Sequence, residues 1–461
     1  MAPQPVTLSI DHLKKDNPRS ILSDYAVTEK ADGERYQMIV YNHRTYLINS
    51  RKNIIDMNVT LEVNGKAINN GWLFDGEYIT KDKENQPIQL YMIFDIYLDE
   101  KNYKNYASPQ PIHTYPFLSR NPHDISRYSL LQDFYSTINI QKTDSSKELI
   151  DISIKHYEFG YLTDSENEEQ NPISKKYEYS EDVMGIFKAS KKILQREKEG
   201  HFPYRIDGLI YIPVRFSVRG SAEGLTSKRI NGTWDYNFKW KPPEENTIDF
   251  LIKIKKKLVN ANIVDEVFHS MNIKNGQKQV NEYKQLELYV GYDEVKDEGI
   301  EFCMKILEGS NVLKVKKDNI ILFNHRVQEE NKKYNKTNII LKEGKLKCLN
   351  YEEDEIHDED IVEMRFNKDG EDGSYWEPIR VRTDKKDPQF FTIADNVWET
   401  IQNPVTTSII QGKKEIKGIM EDELQESGKY YINDNDQLFY ATNSLSKLHN
   451  YIKSKLMNII I

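Results

Sequence analysis

The sequence has very little cysteine, modest glycine and proline, and no long apolar segment. Its two cysteines, Cys303 and Cys348, cannot build a disulfide framework, and no group of Cys and His residues has the spacing of a zinc site. With 21 Gly and 16 Pro in 461 residues, a collagen-like or linker-like chain is excluded. No apolar run approaches the roughly 20 residues of a membrane-spanning helix. We therefore expect no membrane partner and a reducing compartment.

Aromatic residues and charges are what the sequence does supply. Aromatics make up 11% of the chain, with 29 Tyr, which excludes a disordered chain. At roughly 150 residues per domain, the length predicts two to four domains. The net charge of −9 argues against a surface that holds nucleic acid along its whole length. Between residues 186 and 243, however, twelve Lys or Arg accompany five Asp or Glu, and we expect a basic cleft there.

Alternating apolar residues predict that the first half of the chain is rich in strands. We expect strands at 36–41, 44–48, 71–79, 88–98, 205–214 and 235–243. The first two would form a hairpin across Asn42 and His43. The segment 181–200 has apolar residues at helical spacing and predicts a helix that ends at Gly200. The polar stretch near 100–180 predicts a surface insertion.

The composition changes after Pro243. Short β-rich segments recur at even spacing, which predicts a small closed or sandwiched sheet. The run 351–360 contains seven acidic residues in ten and predicts a solvated loop. The segment 444–456 predicts an amphipathic helix.

The residues with the clearest chemical meaning lie in EKADGERY at 29–36. Lys30 precedes the dipeptide Asp32-Gly33 by two residues, and Arg35 follows that dipeptide. A lysine amine is nucleophilic only when unprotonated, and burial or neighbouring cations favour that form. Further motifs follow in order: FDGEYI with Glu77, IFDIY with Phe94, RIDGLIYIP with Asp207, NFKWKP with Lys239 and Lys241, and WEPIRVRTDKK with Arg380, Arg382, Asp384 and Lys385.

Together these motifs resemble those of the covalent nucleotidyltransferase superfamily, which contains the mRNA capping guanylyltransferases and the ATP- or NAD-dependent polynucleotide ligases. The resemblance covers roughly residues 5–395. It implies an α+β fold in which a nucleotidyltransferase domain of ATP-grasp-like antiparallel sheets with flanking helices precedes an OB-fold β-barrel lid. The expected domains are 1–243, with the insertion near 100–180, then 244–395, and a C-terminal extension at 396–461.

Two details favour the capping branch of this superfamily. Ligases usually have Glu two residues before the nucleophile, where this chain has Thr28, and Glu directly before the nucleophile, here Glu29, is common in capping enzymes. The motif KWKP, with Trp240 between the lysines, also resembles the capping branch. An ATP-dependent DNA or RNA ligase remains an alternative, as does a non-catalytic RNA-binding module that keeps the fold.

The resemblance implies a two-step transfer of GMP from GTP. Lys30 would attack the α-phosphate, and the lysyl–GMP formed would pass GMP to the 5′-diphosphate end of an RNA to give GpppN. Lys239 and Lys241 would act on the α-phosphate, and Glu77, with Asp207 second, would bind Mg²⁺ or Mn²⁺. The implied GTP contacts are Arg35 and Arg51 at the ribose, Phe94 on the guanine, Arg380, Asp384 and Lys385 at the β- and γ-phosphates, and Thr28, Glu29, Asp32, Gly33, Asp207 and Arg382 among the others.

Several of these residues also have a purely structural interpretation. Phe94 could belong to the core, Asp207 could cap a turn, and Arg51 could be a surface residue. Arg382 could face solvent, because it alternates with Arg380 along a strand.

Within the capping family, KADGER and the segment 446–456 are most similar to enzymes of large cytoplasmic DNA viruses. There the guanylyltransferase is followed by a cap guanine-N7 methyltransferase, and 446–456 resembles the part that leads into it. We therefore expect a fragment of a longer capping polypeptide. The implied partners are RNA triphosphatase and cap methyltransferase activities, in the same polypeptide or a partner subunit, and an RNA polymerase. The implied location is the cytoplasm, in a virus factory or virion.

Overall fold

A computed structural model gives the fold of most of the chain. The described residues are 2–99, 111–119, 124–143, 149–160, 184–222, 224, 230–274, 277–293, 320–323, 334–349, 354–370, 373–412, 430–432 and 438–440. The helix expected at 444–456 lies outside them. The chain divides into two compact units, and the first division falls between Pro242 and Pro243.

The first unit is built mainly of strands. Its strands are β1 Pro3–Thr7, β2 Tyr25–Ala31, β3 Glu34–Tyr41, β4 Arg44–Asn49, β5 Ile54–Asp56, β6 Val59–Val63, β7 Lys66–Ala67, β8 Trp72–Lys81, β9 Pro87–Leu98, β10 Ile138–Lys142, β11 Asp151–Ile154, β12 Glu158–Phe159, β13 Ile206–Pro213 and β14 Gly232–Trp240. They form a five-stranded sheet in the order β1-β14-β13-β2-β12, a six-stranded sheet in the order β11-β9-β8-β3-β4-β5, and a three-stranded sheet in the order β10-β6-β7.

The second unit contains one large, mostly antiparallel sheet. Its strands are β15 Thr247–Ile254, β16 Lys256–Val259, β17 Asn262–Asp265, β18 Phe268–Lys274, β19 Gln277–Gly291, β20 Ile320–Leu322, β21 Lys336–Ile340, β22 Ile361–Phe366, β23 Trp376–Val381, β24 Tyr430–Ile432 and β25 Leu438–Tyr440. The large sheet runs β18-β19-β15-β22-β23, and β20 and β21 also pair with β19. The other four strands of this unit form two separate two-stranded sheets, β16-β17 and β24-β25. Over the described ranges this pairing does not close into a barrel.

Helices are few, in agreement with the predicted α+β class. They are α1 Arg127–Thr137, α2 Gly185–Lys198, α3 Phe391–Gln402 and α4 Thr407–Ile410, with 3-10 helices at Ile10–Leu13, Ile112–Thr114 and Pro243–Glu245. The helix expected at 181–200 is α2, and the chain leaves it at Gly200 with a φ of +77°. None of the helices found in the described ranges is both long and apolar enough to span a membrane.

The predicted hairpin of the first unit is confirmed. β3 pairs with β4 in antiparallel register, and Asn42 and His43 connect them with φ values of +47° and +61°. Two consecutive positive φ values are typical of the two-residue turns that match the twist of a hairpin. The strands expected at 71–79, 88–98, 205–214 and 235–243 correspond to β8, β9, β13 and β14.

The predicted boundary in the C-terminal part needs correction. The boundary at 395 falls inside α3, where Trp398 is buried in the core of the second unit. The chain from Val405 then packs in the first unit, because Ile409 and Ile410 are buried in its core and Trp240 Nε1 donates to the Val405 carbonyl oxygen at 2.7 Å.

The insertion expected near 100–180 is not a surface insertion where the structure describes it. Helix α1 packs Leu131 and Phe134 into the core of the six-stranded sheet, and the Phe134 ring lies 4.5 Å from that of Phe74. Strands β11 and β12 extend the six-stranded and five-stranded sheets. Buried residues every third or fourth position are hidden among polar neighbours here, which is why the stretch resembles a loop.

A buried histidine predicts how stability depends on pH. The centres of the His12 and Phe238 rings lie 4.2 Å apart with the rings tilted by 38°, and Nδ1 of His12 accepts the Ser9 amide at 3.0 Å. Burial, together with the charge of Arg19, lowers the pKa of His12 to about 4. The unfolded chain, with a pKa near 6.5, therefore takes up this proton first, and stability falls as the pH drops from 6.5 towards 4. The shift corresponds to about 3 kcal/mol in the free energy of unfolding.

The matched variant is His12→Gln, which keeps an acceptor for the Ser9 amide in a capping box but cannot titrate. The free energy of unfolding is measured by denaturant titration at pH 7 and at pH 4.5. Between these two pH values the wild type should lose more of it than His12→Gln does, by most of the about 3 kcal/mol. Equal losses for the two proteins would contradict the assignment.

Candidate active site

Lys30 lies where two sheets of the first unit meet. It is the penultimate residue of β2 in the five-stranded sheet, and after a two-residue turn the chain enters β3 of the six-stranded sheet. The Asp32 amide donates to the Arg205 carbonyl oxygen at 2.9 Å and so anchors the turn. A Cβ on Gly33 would lie 2.8 Å from Cγ of Glu77, so glycine is needed for the turn to approach β8.

The turn also forms one wall of a cavity of about 360 Å³. Asp32 and Gly33 line it together with Arg205 and the rings of Tyr36 and Tyr78. Space for a ligand group therefore adjoins the turn that follows Lys30.

The amine of Lys30 is held by a carboxylate that it shares with a second lysine. Lys30 Nζ lies 2.7 and 3.0 Å from the two oxygens of Asp207, and Lys241 Nζ lies 2.7 Å from Oδ2 of the same carboxylate. Burial alone would raise the pKa of Asp207, but the two ammonium groups outweigh it and lower the pKa below its usual value. The structure thus brings these three sequence-predicted residues together, and their roles in GTP chemistry stay predictions.

The backbone at Gly208 allows Asp207 to approach Lys241. Its φ is +144°, and a Cβ there would lie 1.9 Å from the Trp240 carbonyl oxygen. Only glycine allows β13 to approach the end of β14 this closely, and this approach brings Asp207 to Lys241. Lys239 lies on β14 two residues before Lys241, and its carbonyl oxygen accepts the Leu8 amide at 2.8 Å.

Glu77 lies on β8 among three cations. Its backbone pairs with that of Arg35 on β3, and the charges of Lys155, Lys30 and Arg35 all act on its carboxylate. Burial nevertheless raises the pKa of Glu77 above its usual value. No group of three or more His, Cys, Asp or Glu residues in the described part of the chain is arranged to hold a metal ion. A metal here would have one or two carboxylates as protein ligands, as Mg²⁺ at phosphate sites commonly does.

Arg35 is bonded to the protein itself. Its guanidinium makes paired hydrogen bonds of 3.0 and 2.5 Å with Asp75 and donates to the Pro3 carbonyl oxygen at 2.7 Å. Tyr97 donates to the same Asp75 carboxylate at 2.6 Å. The guanidinium also lies 5.2 Å from the centre of the Phe94 ring. Arg35 therefore supports Phe94 from one side, and its expected ribose contact stays a prediction.

Lys155 is a site residue that the sequence reasoning missed. Its Nζ donates to the Glu29 carbonyl oxygen at 2.7 Å and lies 6.0 Å from the centre of the Phe94 ring. Only 3% of the residue is exposed, and it directly follows β11. The alternation of Ile152 and Ile154 before it is a strand signal that could have drawn attention to it.

Thr28 and Glu29 lie inside the protein. Glu29 is 2% exposed, and Tyr204 donates to its carboxylate at 2.9 Å. The Thr28 hydroxyl lies 2.7 Å from the other carboxylate oxygen and 2.8 Å from the His156 carbonyl oxygen. These bonds fix β2 just before Lys30, and direct contacts of Thr28 and Glu29 with GTP remain predictions.

Arg51 lies at the surface, as its structural interpretation allowed. Its side chain is 53% exposed and donates to Glu34 at 2.9 Å. Asn49 donates to the same oxygen of Glu34 at 2.7 Å. The ribose contact implied for Arg51 stays a prediction.

The predicted phosphate-binding residues of the second unit form their own network. Arg382 donates to Asp249 at 3.1 and 3.2 Å and to Asp384 at 2.9 and 3.0 Å. Lys385 also pairs with Asp249. Arg382 and the charge of Lys385 hold the pKa of Asp384 well below its usual range.

The alternative interpretation of Arg382 as a solvent-facing residue does not hold, and its contact with GTP stays a prediction. Its side chain is 15% exposed, whereas that of Arg380, which donates to Glu363 at 2.6 Å, is 45% exposed. The physical reason is Asp249, a buried carboxylate on β15 that draws Arg382 inward.

Comparison with known proteins gives consistent matches in both units. The family model described as mRNA capping enzyme, catalytic domain, matches residues 2–114. The model described as mRNA capping enzyme, C-terminal domain, matches residues 245–410, which fits the OB-fold expected for the second unit.

Three relatives illustrate the similarity. A probable mRNA-capping enzyme of Acanthamoeba polyphaga mimivirus is 27% identical over 407 residues, which are 84% of this chain and 31% of that protein. An mRNA-capping enzyme of Caenorhabditis elegans is 24% identical over 55% of this chain and 33% of that protein. An mRNA-capping enzyme subunit alpha of Kluyveromyces lactis is 23% identical over 87% of this chain and 74% of that protein.

This chain thus spans about a third of the length of the first two relatives. The two family models match its two units separately and in the same order as the motifs. The mimivirus relative is similar over most of the chain. The chain is therefore similar to mRNA capping enzymes in both their catalytic and their C-terminal domains.

Proposed function

We propose that this chain is an mRNA guanylyltransferase. In the first step the Lys30 ammonium group releases one proton to solvent, and the amine attacks the α-phosphorus of GTP. An N–P bond forms, the bond to pyrophosphate breaks, and the nitrogen releases a second proton to solvent. In the second step a β-phosphate oxygen of a 5′-diphosphate RNA attacks the same phosphorus, the N–P bond breaks, and the Lys30 nitrogen takes up two protons to become an ammonium group again. The product is GpppN.

The observation that carries this proposal is the position of the Lys30 amine. It is held by Asp207 beside Lys241, with the carboxylate of Glu77 close enough for their charges to interact. Charge in phosphoryl transfer develops on phosphate oxygens, so cations fixed beforehand lower the barrier. Lys241 supplies such a cation next to the nucleophile, and Lys239 shares its face of the strand.

The donor set fits a hard divalent ion such as Mg²⁺ or Mn²⁺. Glu77 would be the main protein ligand, because it is a carboxylate placed beside the nucleophile, and Asp207 the second. The bound ion would neutralise charge on the phosphate oxygens of GTP. Phe94, supported by Arg35 and Lys155, offers a ring face for the guanine.

The second unit would bind the β- and γ-phosphates. Arg380, Arg382 and Lys385 are cations, and Asp249 and Glu363 hold them in this structure. Phosphate oxygens would compete with these carboxylates for the same donors. We infer that binding of GTP by the second unit involves release of Lys385 and Arg382 from Asp249.

The wider setting is part of the same proposal. The RNA substrate needs a 5′-diphosphate, so a triphosphatase activity must act before this enzyme, and a cap methyltransferase would act after it. Either could be supplied by further parts of one polypeptide or by a partner subunit, and an RNA polymerase would supply the transcript. Since a relative comes from a giant virus, we propose that the enzyme works in the cytoplasm, in a virus factory or virion.

The test is covalent labelling with each nucleotide. The protein is incubated with Mg²⁺ and either α-labelled GTP or α-labelled ATP, denatured, and analysed for protein-bound label. We expect label from GTP and none from ATP. Label from ATP alone would favour a ligase, and no label from either would favour a non-catalytic module.

A further inference from the structure

The solvent face of α2 is unusually basic for this acidic chain. Its basic residues are Lys188, Lys191, Lys192, Arg196 and Lys198, whereas its buried residues are Ile186, Phe187, Ala189, Ser190, Ile193 and Leu194. At 100° per residue all five basic residues fall on the side opposite the apolar stripe. The helix therefore turns one face to the core and one cationic face outward.

Part of this face is neutralised and part is not. Glu158 lies 3.2 Å from Lys192 and 3.9 Å from Arg196. Neither Lys191 nor Lys198 forms a salt bridge with any residue that the structure describes. These two lysines lie seven residues apart, or about 10 Å along the helix axis.

The basic face leads to the nucleophile through a chain of direct contacts. Where α2 ends, Lys83 Nζ donates to the Gly200 carbonyl oxygen at 3.4 Å, and Arg205 Nε donates to the Lys83 carbonyl oxygen at 3.1 Å. The Arg205 carbonyl oxygen in turn accepts the Asp32 amide at 2.9 Å, two residues from Lys30. Lys83 and Arg205 are both exposed, and these hydrogen bonds place them between the end of α2 and the turn.

We propose that this basic track, formed by the outer face of α2 with Lys83 and Arg205, binds the single-stranded 5′ segment of the acceptor RNA. The inference rests on the proposed guanylyltransferase function. Such a track holds phosphates without reading sequence, as an enzyme that modifies many transcripts requires. Arg205 also lines the cavity beside the nucleophile turn, so the track ends where the RNA terminus must react.

The test compares two double charge reversals in the full chain. Lys191→Glu with Lys198→Glu alters the track, and Lys66→Glu with Lys142→Glu alters two exposed lysines of the three-stranded sheet by the same charge. Binding of a fluorescent 20-nucleotide 5′-diphosphate RNA is measured by anisotropy at several salt concentrations. We expect the track variant to bind about ten-fold or more weakly, with a salt slope lower by about 1.4 because two phosphate contacts are lost. The control should stay within about two-fold of wild type.

A second readout separates this inference from the proposed function. Formation of lysyl–GMP without RNA should be equal in wild type and both variants, whereas transfer to the 20-nucleotide RNA should slow only in the track variant. Equal RNA affinity and salt slope in the track variant and the control would overturn the track. The proposal would also be overturned if the track variant lost binding of an acidic phosphopeptide but kept RNA binding. If wild type forms no lysyl–GMP, the proposed function fails, and the anisotropy comparison still decides the track.

Discussion

Replacing Lys30 abolishes covalent labelling by GTP. Loss of the attacking group leaves no atom that can form the N–P bond, so we expect lysyl–GMP to fall by at least about 10³-fold in Lys30→Ala. The informative variant is Lys30→Arg, since arginine keeps a cation opposite Asp207 but cannot be deprotonated. Both variants are incubated with α-labelled GTP and Mg²⁺, and protein-bound label is measured after denaturation.

Two controls make this result specific. Lys66→Ala removes an exposed lysine of the three-stranded sheet, and it should label like wild type. The melting temperature of Lys30→Arg should stay close to that of wild type, because the ion pair with Asp207 is retained. If Lys30→Arg forms as much adduct as wild type, another lysine is the nucleophile, and Lys241 would be the next to test.

The strands that build the site were predictable from the sequence because their patterns are local. The turn at Asn42 and His43, and the alternation in β8 and β9, are set by residues within a few positions of one another. Likewise Lys30, Asp207 and Lys241 stand in short motifs whose glycines, such as Gly208, have a geometric purpose. Motif spacing therefore identified residues that the fold does bring together.

What the sequence did not reveal depends on contacts between distant segments. Lys155 and Arg127 lie in a polar stretch that resembles a surface insertion, yet both are buried. A buried cation does not contribute to the apolar pattern of a strand or helix. Its partner cannot be read from the neighbouring sequence either, because Asp95 precedes Arg127 by 32 residues. The inward position of Arg382 was missed for the same reason, because Asp249 precedes it by more than a hundred residues.

Replacing Arg127, which forms a buried ion pair with Asp95, should cause the largest loss in the free energy of unfolding. Arg127 is 0% exposed and bonds Asp95 at 2.8 and 3.2 Å, and it also donates to the carbonyl oxygens of Tyr115 and Phe216 at 2.6 and 3.1 Å. Arg127→Met leaves the carboxylate and two carbonyl groups buried without this donor. Breaking one side of a buried ion pair costs about 3–5 kcal/mol. We expect a loss of this size in the free energy of unfolding, measured by denaturant titration at pH 7.

Three comparisons show whether the cost comes from burial of an unpaired charge. Burial already raises the pKa of Asp95 although Arg127 opposes it, so protonation at lower pH should relieve the variant, and its deficit should shrink between pH 7 and pH 5. The double variant Arg127→Met with Asp95→Leu removes both charges and should recover part of the loss. Arg44 pairs with Asp56 at the surface with a side chain 49% exposed, and Arg44→Met should cost about 1 kcal/mol or less. If the Arg127 and Arg44 variants lose equal stability, the buried pair has no special weight, and α1 must be held by its apolar residues alone.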